Sequence, residues 1–290
     1  EDAGIDVLTD GEVFRTHFVH SFLEKIAGID QNKKTLMGIR DNRYTLEVPT
    51  VTGPVSRPAP VFLDDFKYTR SLTKHKLKIT LPGPMTICDT IADAHYGNRA
   101  DMAMAFAEIL NAEALELEAA GADVVQFDEP AFNVFMDDVR DWGIATLNRA
   151  CEGLKCTRAV HICYGYGIDE NIRWKETLGN EWRQYDAIFP ALNKSVVDQV
   201  SLECASSRVP LSVMRHLSDK TLMVGAVAVT ADHIETPEEV AATIKAAMEY
   251  VDPERILPCT NCGMTPIAYD IALTKLHSLT AGAALARKAL

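Results

Sequence analysis

No stretch of the chain is apolar for the roughly 20 residues that a membrane-spanning helix needs, and no secretory segment is visible at its start. The sequence also has no repeat at a fixed period and no low-complexity tract. Basic residues are scarce: 29 Lys and Arg stand against 41 Asp and Glu, which gives a net charge of −12. Because a surface of this sign repels polyanions, we expect no nucleic-acid partner and no membrane partner.

The cysteines do not suit a disulfide framework. There are seven, an odd number, and they are scattered over 290 residues. Because disulfides are rare in reducing compartments, we expect free thiols and a cytoplasmic location. Hydrophobic residues make up 47% and charged residues 24%, the balance of an ordinary globular chain. A chain of this length builds a full core without disulfides.

Short apolar runs alternate with helical patterns, which predicts a parallel sheet covered by helices. Three helices are predicted. The first covers residues 101–120 and is ended by Gly121, the second begins at Thr236, and the third covers residues 266–290. The segment 32–66 breaks the alternation and is interpreted as an irregular or hairpin insertion. Seven runs are predicted as strands: 4–9, 76–81, 123–127, 158–162, 199–202, 222–229 and 256–258.

Seven strands are one fewer than a closed TIM (β/α)₈ barrel requires. Because the chain opens on Glu1 rather than Met, we expect strand one and its helix to precede residue 1. Residues 1–290 would then form a single barrel domain that is incomplete at its N terminus. A doubly wound open sheet is the alternative, although no Gly-rich phosphate-binding turn follows a first strand.

Charged and sulfur-containing residues follow five of the predicted strands, where the functional residues of a barrel lie. A single cysteine beside a strand is usually a small buried apolar residue, but five such ends along one rim point to a site. The residues are Asp10 and Glu12, Asp128 and Glu129, His161 and Cys163, Glu203 and Cys204, and Cys259 and Cys262.

Some of these residues are candidate metal ligands. His161 and Cys163 are two positions apart, so on a strand their side chains share one face. Cys259 and Cys262 have the spacing of a zinc knuckle or a redox pair, but no second such pair occurs. Taken alone, each pair is also compatible with packed side chains. Together, His161, Cys163, Glu203 and Cys262 would supply N, S, O and S donors, which suit tetrahedral Zn²⁺ better than Mg²⁺ or Ca²⁺.

Six motifs follow one another along nearly the whole chain: Gly-Ile-Asp-Val-Leu-Thr-Asp-Gly-Glu (4–12), Ser-Arg-Pro-Ala-Pro (56–60), Gly-Pro-Met-Thr-Ile (83–87), Gln-Phe-Asp-Glu-Pro-Ala (126–131), Val-His-Ile-Cys-Tyr (160–164) and Asn-Cys-Gly-Met (261–264). In this order they resemble the catalytic half of cobalamin-independent methionine synthases. The resemblance implies a zinc-dependent TIM barrel that transfers a methyl group to the thiol of homocysteine. It implies zinc ligands at His161, Cys163, Glu203 and Cys262.

The resemblance also implies that Glu12 and Asp128 bind the amino group of homocysteine. Zinc would deprotonate the homocysteine thiol, whose pKa near 8.5 otherwise keeps it protonated at neutral pH. The two carboxylates would orient the amino acid for in-line attack by its sulfur. Cys259 is held as a packing residue, because the family's Asn-Cys-Gly motif matches Cys262.

The chain departs from the family in its methyl-donor half. The larger synthases have a further N-terminal half, and their tryptophan after Gly-Pro-x-Thr-Ile has no aromatic counterpart in residues 88–91. The family's proton-donating histidine is replaced by Thr230. His233 is the candidate substitute, or a surface histidine at a helix start. The segment expected to bind the homocysteine carboxylate would lie before Glu1. The donor therefore stays open between methyltetrahydrofolate, a methylated corrinoid protein and methylcobalamin, and an accessory protein is possible.

Two other functions remain open. One is alkyl transfer to another thiol such as coenzyme M, although the carboxylates at Glu12 and Asp128 favour an amino-acid thiol over a sulfonate. The other is a barrel whose zinc is only structural, against which the same two carboxylates argue, since a structural site needs no uncompensated charge. Residues 164–185 are interpreted as either a lid over the metal or a surface excursion.

Overall fold

The computed structural model of the protein describes residues 1–165, 169–230 and 232–290. The chain divides into two units. The N-terminal unit comprises Val7–Val160 with Ser195–Val197. The C-terminal unit comprises Glu1–Asp6, His161–Lys194 and Asp198–Leu290. The assignment of residues 1–290 to one barrel domain stays a prediction.

Parallel pairing organises the main sheet of the N-terminal unit. Strand β4 pairs in parallel with β1 and β6, and β7 is the neighbour of β6 on its other side. The strands of this unit are β1 (Val7–Leu8), β2 (Ala27–Ile39), β3 (Tyr44–Ser56), β4 (Lys76–Pro82), β5 (Ala92–Asp93), β6 (Val124–Asp128) and β7 (Thr157–His161). The last residue of β7, His161, already belongs to the C-terminal unit. Its helices are α1 (His20–Leu23), α2 (Leu63–Leu72), α3 (Pro84–Cys88), α4 (Arg99–Ala119), α5 (Met136–Asp138) and α6 (Ile144–Ala150).

The C-terminal unit repeats the pattern, and its central strand β9 pairs in parallel with β8 and β10. Its strands are β8 (Gln199–Glu203), β9 (Thr221–Val227) and β10 (Ile256–Thr260). Its helices are α7 (Asp169–Thr177), α8 (Gln184–Asn193), α9 (Pro237–Met248) and α10 (Tyr269–Arg287). Short 3₁₀ turns over Leu211–His216 and Pro253–Arg255 precede β9 and β10.

The seven predicted strands are confirmed as β1, β4 and β6 to β10, and so is the parallel α/β class. The apolar runs of β6, β8 and β9 are buried on both faces, as strands covered on both sides require, whereas β1 and β10 are only partly buried. The first strand is shorter than predicted, because Gly4 turns the chain with a φ of 74°. The run predicted to end at residue 229 stops at Val227, because the Ala228 amide leaves the ladder and donates to Glu235.

The insertion predicted over 32–66 is a long hairpin. Strands β2 and β3 pair antiparallel from Ala27 to Ser56, and β5 pairs in parallel with β3. The hairpin turns at three consecutive residues with positive φ, Arg40, Asp41 and Asn42. Left-handed backbone at three non-glycine residues is uncommon, and the apolar pattern carries no signal for it. The hairpin therefore begins five residues earlier than the predicted insertion.

Two helices begin at side-chain caps, of which the one at Thr236 was predicted and the one at Asn98 was not. The side chain of Asn98 accepts a hydrogen bond of 2.8 Å from the Ala100 amide and caps α4. Thr236 and Glu239 form a capping box at the start of α9, with Pro237 at the first helical position. The long C-terminal helix starts at Tyr269 rather than at residue 266.

A buried ion pair fixes the segment that follows β9. Lys275, on α10, is fully buried, and its Nζ lies 2.7 Å from Glu235 Oε2. The same Nζ donates to the Ala228 carbonyl at 3.1 Å, while Glu235 Oε1 accepts from the Ala228 amide at 2.7 Å. Both backbone groups of Ala228 are therefore held by one side-chain pair, which ties the end of β9 to α10.

No helix within residues 1–165, 169–230 and 232–290 is both long and apolar enough to cross a bilayer.

Candidate metal centre and acidic cluster

Three predicted ligands of the C-terminal unit come together. One donor atom each from His161, Cys163 and Cys262 lies within 4.8 Å of the other two, and the two sulfurs are 3.8 Å apart. His161 is the last residue of β7, whereas Cys163 lies beyond the strand end and Cys262 two residues after β10. An imidazole and two thiols converging in this way form an N, S, S donor set that fits Zn²⁺.

The buried Cys163 thiol is biased toward its ionised form. A hydrogen bond from the Cys262 thiol and the nearby imidazole of His161 lower the pKa of Cys163 well below its usual range, although burial opposes the shift. A thiolate is the form of cysteine that binds metals. The donor group is therefore electrostatically prepared for a cation.

The imidazole of His161 is oriented by a residue that the sequence analysis missed. Its Nδ1 lies 2.7 Å from the hydroxyl oxygen of Ser201, which lies on β8, the strand next to β7 in the sheet. A hydrogen bond to one ring nitrogen fixes the ring and the tautomer of a histidine ligand. The alternation of side chains along β8 places Ser201 and Glu203 on one face, which is the signal that links them.

Glu203, the predicted fourth ligand, lies at the end of β8 and is buried, but it is not among the three residues of the donor group in the described part of the chain. Its Oε2 accepts a hydrogen bond of 3.1 Å from the Tyr164 amide, and its Oε1 lies 3.2 Å from Lys175 Nζ. Burial raises the pKa of Glu203, and the ammonium of Lys175 opposes that rise. Its role as a metal ligand stays a prediction.

Two further side chains brace the backbone that carries the ligands. The Tyr185 hydroxyl donates to the Ile162 carbonyl at 2.8 Å and accepts from the Glu203 amide at 3.2 Å. Asn261, next to Cys262, accepts from the Cys204 amide at 3.1 Å and donates to the Ala205 carbonyl at 2.8 Å. These contacts join chain segments that are distant in sequence, so no local pattern predicts them.

The segment that follows Cys163 packs through an aromatic cluster, comprising Tyr164, Trp174, Trp182 and Tyr185. The Tyr164 ring lies 5.8 Å from that of Trp174, 4.9 Å from that of Trp182 and 5.1 Å from that of Tyr185, between centroids. This packing supports a segment folded onto the ligand residues. Residues 166–168 of the predicted lid lie outside the described residues, and the lid itself stays a prediction.

Glu12 and Asp128, the predicted substrate carboxylates, both lie in the N-terminal unit. The Thr80 hydroxyl donates to Glu12 Oε1 at 2.8 Å, and Gln126 Nε2 donates to Asp128 Oδ1 at 2.7 Å. Thr80 and Gln126 are direct partners in the register of β4 and β6. The two carboxylates are therefore linked through neighbouring residues of one sheet, and we call these four residues with Arg15 the acidic cluster.

Arg15 is a member of this cluster that the sequence analysis missed. Its side chain is only 2% exposed, its Nη1 lies 3.1 Å from Glu12 Oε1, and its guanidinium stacks 4.1 Å from the Phe62 ring centroid. We expected the charges of Glu12 and Asp128 to have no cation beside them. This is wrong for Glu12, because Arg15 lies next to its carboxylate. A charged pair three residues apart in a turn carries no recognisable motif.

Glu129 and Arg57, which belong to two of the motifs, have structural roles. The buried Glu129 accepts hydrogen bonds from the Met85 and Thr86 amides at 3.0 and 2.8 Å, and burial raises its pKa to about 7. A Cβ at Gly83 would lie 2.1 Å from its carboxyl carbon, so only glycine fits there. Arg57 lies 2.7 Å from the buried carboxylate of Glu113, anchoring the motif over 56–60 to α4.

His233, the tentative catalytic residue, is exposed in the structure. Its Nε2 lies 3.2 Å from Glu239 Oε2, the carboxylate that closes the capping box of α9. It is not part of the His161, Cys163 and Cys262 group. A role as proton donor stays a prediction.

The parallel α/β fold, with imidazole and thiol donors at or just after its strand ends, is that of a barrel enzyme with a candidate thiol-rich metal site. Within this class the family can be given. Residues 1–285 match the family model described as the catalytic domain of cobalamin-independent synthase, and the chain belongs to this family of methyltransferases.

Solved and curated relatives agree. A B12-independent methionine synthase from Shewanella sp. W3-18-1, solved in complex with selenomethionine, is 55% identical, with a TM-score of 0.96 over 99% of this chain and 84% of that chain. The methionine synthases of Sulfurisphaera tokodaii and Saccharolobus solfataricus are 31% and 32% identical, over 100% and 99% of this chain and 80% and 81% of theirs. The TIM-barrel-like fold is therefore confirmed.

Proposed function

We propose that the protein transfers a methyl group to the thiol of homocysteine and so forms methionine. The observation that carries this proposal is the convergence of His161, Cys163 and Cys262 in a chain of the methionine synthase family. Selenomethionine, the ligand of the Shewanella relative, is the selenium analogue of this product. The seven free cysteines favour a reducing compartment, and we place the reaction in the cytoplasm.

In our proposal the metal of this site would be zinc, held by Glu203 together with the three grouped donors. The mixed N, S, O set fits zinc and not a hard cation such as Mg²⁺. When bound, zinc supplies a positive charge that lowers the pKa of the substrate thiol and keeps its sulfur nucleophilic at neutral pH. The chain's part is to hold the ligands through Ser201, Tyr185 and Asn261.

The acidic cluster binds and orients homocysteine. Asp128, whose Oδ1 is fixed by Gln126, accepts hydrogen bonds from the substrate ammonium together with Glu12, which Arg15 and Thr80 hold in place. In the transfer, the substrate sulfur forms a bond to the methyl carbon as the bond from that carbon to the donor breaks. The thiol proton is released to water and the electron pair of the broken bond stays on the donor, where the leaving nitrogen of a folate donor takes up one proton. The donor is methyltetrahydrofolate, a methylated corrinoid protein or methylcobalamin, and participation of an accessory protein stays open.

The direct test supplies homocysteine with methyltetrahydrofolate, methylcobalamin or a methylated corrinoid protein and measures methionine. Methionine from any of these donors supports the function and identifies the donor. Methylation of coenzyme M at a higher rate than of homocysteine would show that another thiol is the acceptor. Zinc binding without methyl transfer from any donor would favour the structural-zinc alternative.

Replacing Asp128 by asparagine is expected to weaken homocysteine binding by about 10- to 100-fold, because a hydrogen bond to a charged group contributes roughly 1.5–3 kcal/mol. Asparagine keeps the shape and removes the charge, so zinc content should not change. The preference for homocysteine over a thiol without an amino group should narrow. Calorimetric titration of both thiols, with a zinc assay, measures these effects.

Asp137→Asn is the matched control, since that side chain is exposed and pairs with Arg140, three residues further along the chain. It should leave homocysteine affinity unchanged. Zinc loss in Asp128→Asn, or an unchanged affinity with zinc retained, would show that Asp128 has another role.

The proton-donor role of His233 has its own measurement. If His233 protonates the leaving group, His233→Gln lowers kcat and leaves KM and zinc content near those of the parent. If it only pairs with Glu239 at the start of α9, both kinetic constants stay unchanged.

A further inference from the structure

Lys175 is held in one place by three neighbours. It lies on α7, and its Nζ is 3.2 Å from Glu203 Oε1 and 3.3 Å from the Gly165 carbonyl oxygen. Its ammonium also lies 5.4 Å from the ring centroid of Trp182. The Lys175 side chain is 18% exposed and that of Glu203 only 7%. A lysine on a solvated helix face has no such set of contacts.

Arg173, on the same helix, shows the contrast. Its side chain is 69% exposed and pairs with Glu170 one turn earlier, a typical surface contact. Lys175 instead turns its charge toward a buried carboxylate 28 residues further along the chain. The two side chains lie two positions apart, so one helix presents one cation to solvent and one to the metal centre.

The geometry leaves Glu203 able to bind a further cation. A carboxylate has two oxygens with about four lone-pair positions, and Lys175 and the Tyr164 amide occupy one position on each oxygen. Both contacts fix the plane of the Glu203 carboxyl group and leave further lone-pair positions on its two oxygens. Tyr164 directly follows Cys163, so the carboxylate is anchored to the ligand-bearing backbone itself.

The charges point the same way. Two thiolates and one carboxylate with Zn²⁺ sum to −1, and the Lys175 ammonium brings the sum to zero. Net charge is costly in a buried site, because the surrounding dielectric is low. The Lys175 ammonium therefore offsets the net negative charge of the zinc-loaded ligand set.

We propose that Lys175 is a positioning residue of the metal centre, which holds the Glu203 carboxylate in the orientation that binds zinc. This inference rests on the proposed zinc site. It gives helix α7, and the segment between β7 and β8 that contains it, a role in metal retention. Partners of ligands typically contribute 10- to 100-fold to metal affinity.

The test compares zinc affinities of purified full-length variants by competition with a chromogenic chelator at neutral pH. Lys175→Met removes the charge and keeps a similar volume, and it is expected to weaken zinc binding by about 10- to 100-fold. Lys175→Arg keeps the charge and should recover most of that affinity. Arg173→Met is the matched control on the same helix and should bind zinc as the parent does.

Cobalt substitution adds a readout that loss of packing alone would not move. With Co²⁺ bound, Lys175→Met is expected to show altered ligand-field bands while its sulfur-to-metal charge-transfer band persists, because the carboxylate changes and the two thiolates do not. Far-UV circular dichroism of each variant verifies folding. An unchanged zinc affinity in Lys175→Met, or equal losses in Lys175→Met and Lys175→Arg, would overturn the proposal. If the parent itself binds no zinc, the proposed function fails instead.

Discussion

Replacing Cys262 by serine is expected to abolish zinc binding and methyl transfer together. The Cys262 sulfur lies 3.8 Å from that of Cys163, and it is one of only three grouped donors among the described residues. A serine hydroxyl does not ionise at neutral pH and binds zinc weakly, so two donors and Glu203 would remain. Elemental analysis should find zinc near one equivalent per chain in the parent and near none in Cys262→Ser, with no methionine formed.

Cys259→Ser is the matched control for this experiment. Cys259 lies within β10, opposite Gly225 of β9, and it is absent from the donor group. Its replacement should leave the zinc content unchanged. The ligand assignment is wrong if Cys259→Ser loses zinc and Cys262→Ser retains it.

Replacing Lys275 by methionine is expected to lower the free energy of unfolding by about 3–5 kcal/mol, because it leaves the charge of Glu235 buried without its counterion. Methionine fills a similar volume, so the loss reports the charge and not a cavity. The Ala228 carbonyl also loses its donor from Lys275. Urea denaturation, followed by circular dichroism, measures the shift in the transition midpoint.

A second replacement separates the charge from the packing. In the Lys275→Met background, Glu235→Gln removes the stranded charge and keeps an acceptor for the Ala228 amide, so it should restore part of the lost stability. Lys245→Met, at an exposed position of α9, is the control and should leave the midpoint unchanged. A single variant Lys275→Met as stable as the parent would show that the ion pair contributes little.

The sequence alone was sufficient for the strands and for the grouped metal donors. Buried parallel strands have apolar residues on both faces, so β4 and β6 are visible as short continuous runs. His161, Cys163 and Cys262 fall in motifs whose order is that of the family, and motif order carries long-range information that periodicity lacks. Helix α9 was predictable for a local reason, since its capping box lies within four consecutive residues.

The partners of the site residues were not predictable, because they come from distant parts of the chain. Arg15 meets Thr80 across 65 residues, and Lys175 meets Glu203 across 28. Both separations are far longer than the periods of 3.6 and 2 residues by which helices and strands place side chains on one face. The hairpin turn at residues 40–42 was not located for a different reason: positive φ is uncommon at any non-glycine residue, and although Asp and Asn adopt it more often than others, a run of three such residues has no sequence signature.

The placement of the two sulfurs along the chain orders the events of biosynthesis. Cys163 and Cys262 are 99 residues apart, so the first waits for the second while the ribosome extends the chain. At about 5–20 residues per second, this interval lasts about 5–20 seconds. During it, Cys163 can meet neither Cys262 nor a metal ion held by both. Acquisition of the proposed zinc would therefore be a late event in synthesis, and the growing polypeptide must keep the Cys163 thiol reduced until its partner emerges.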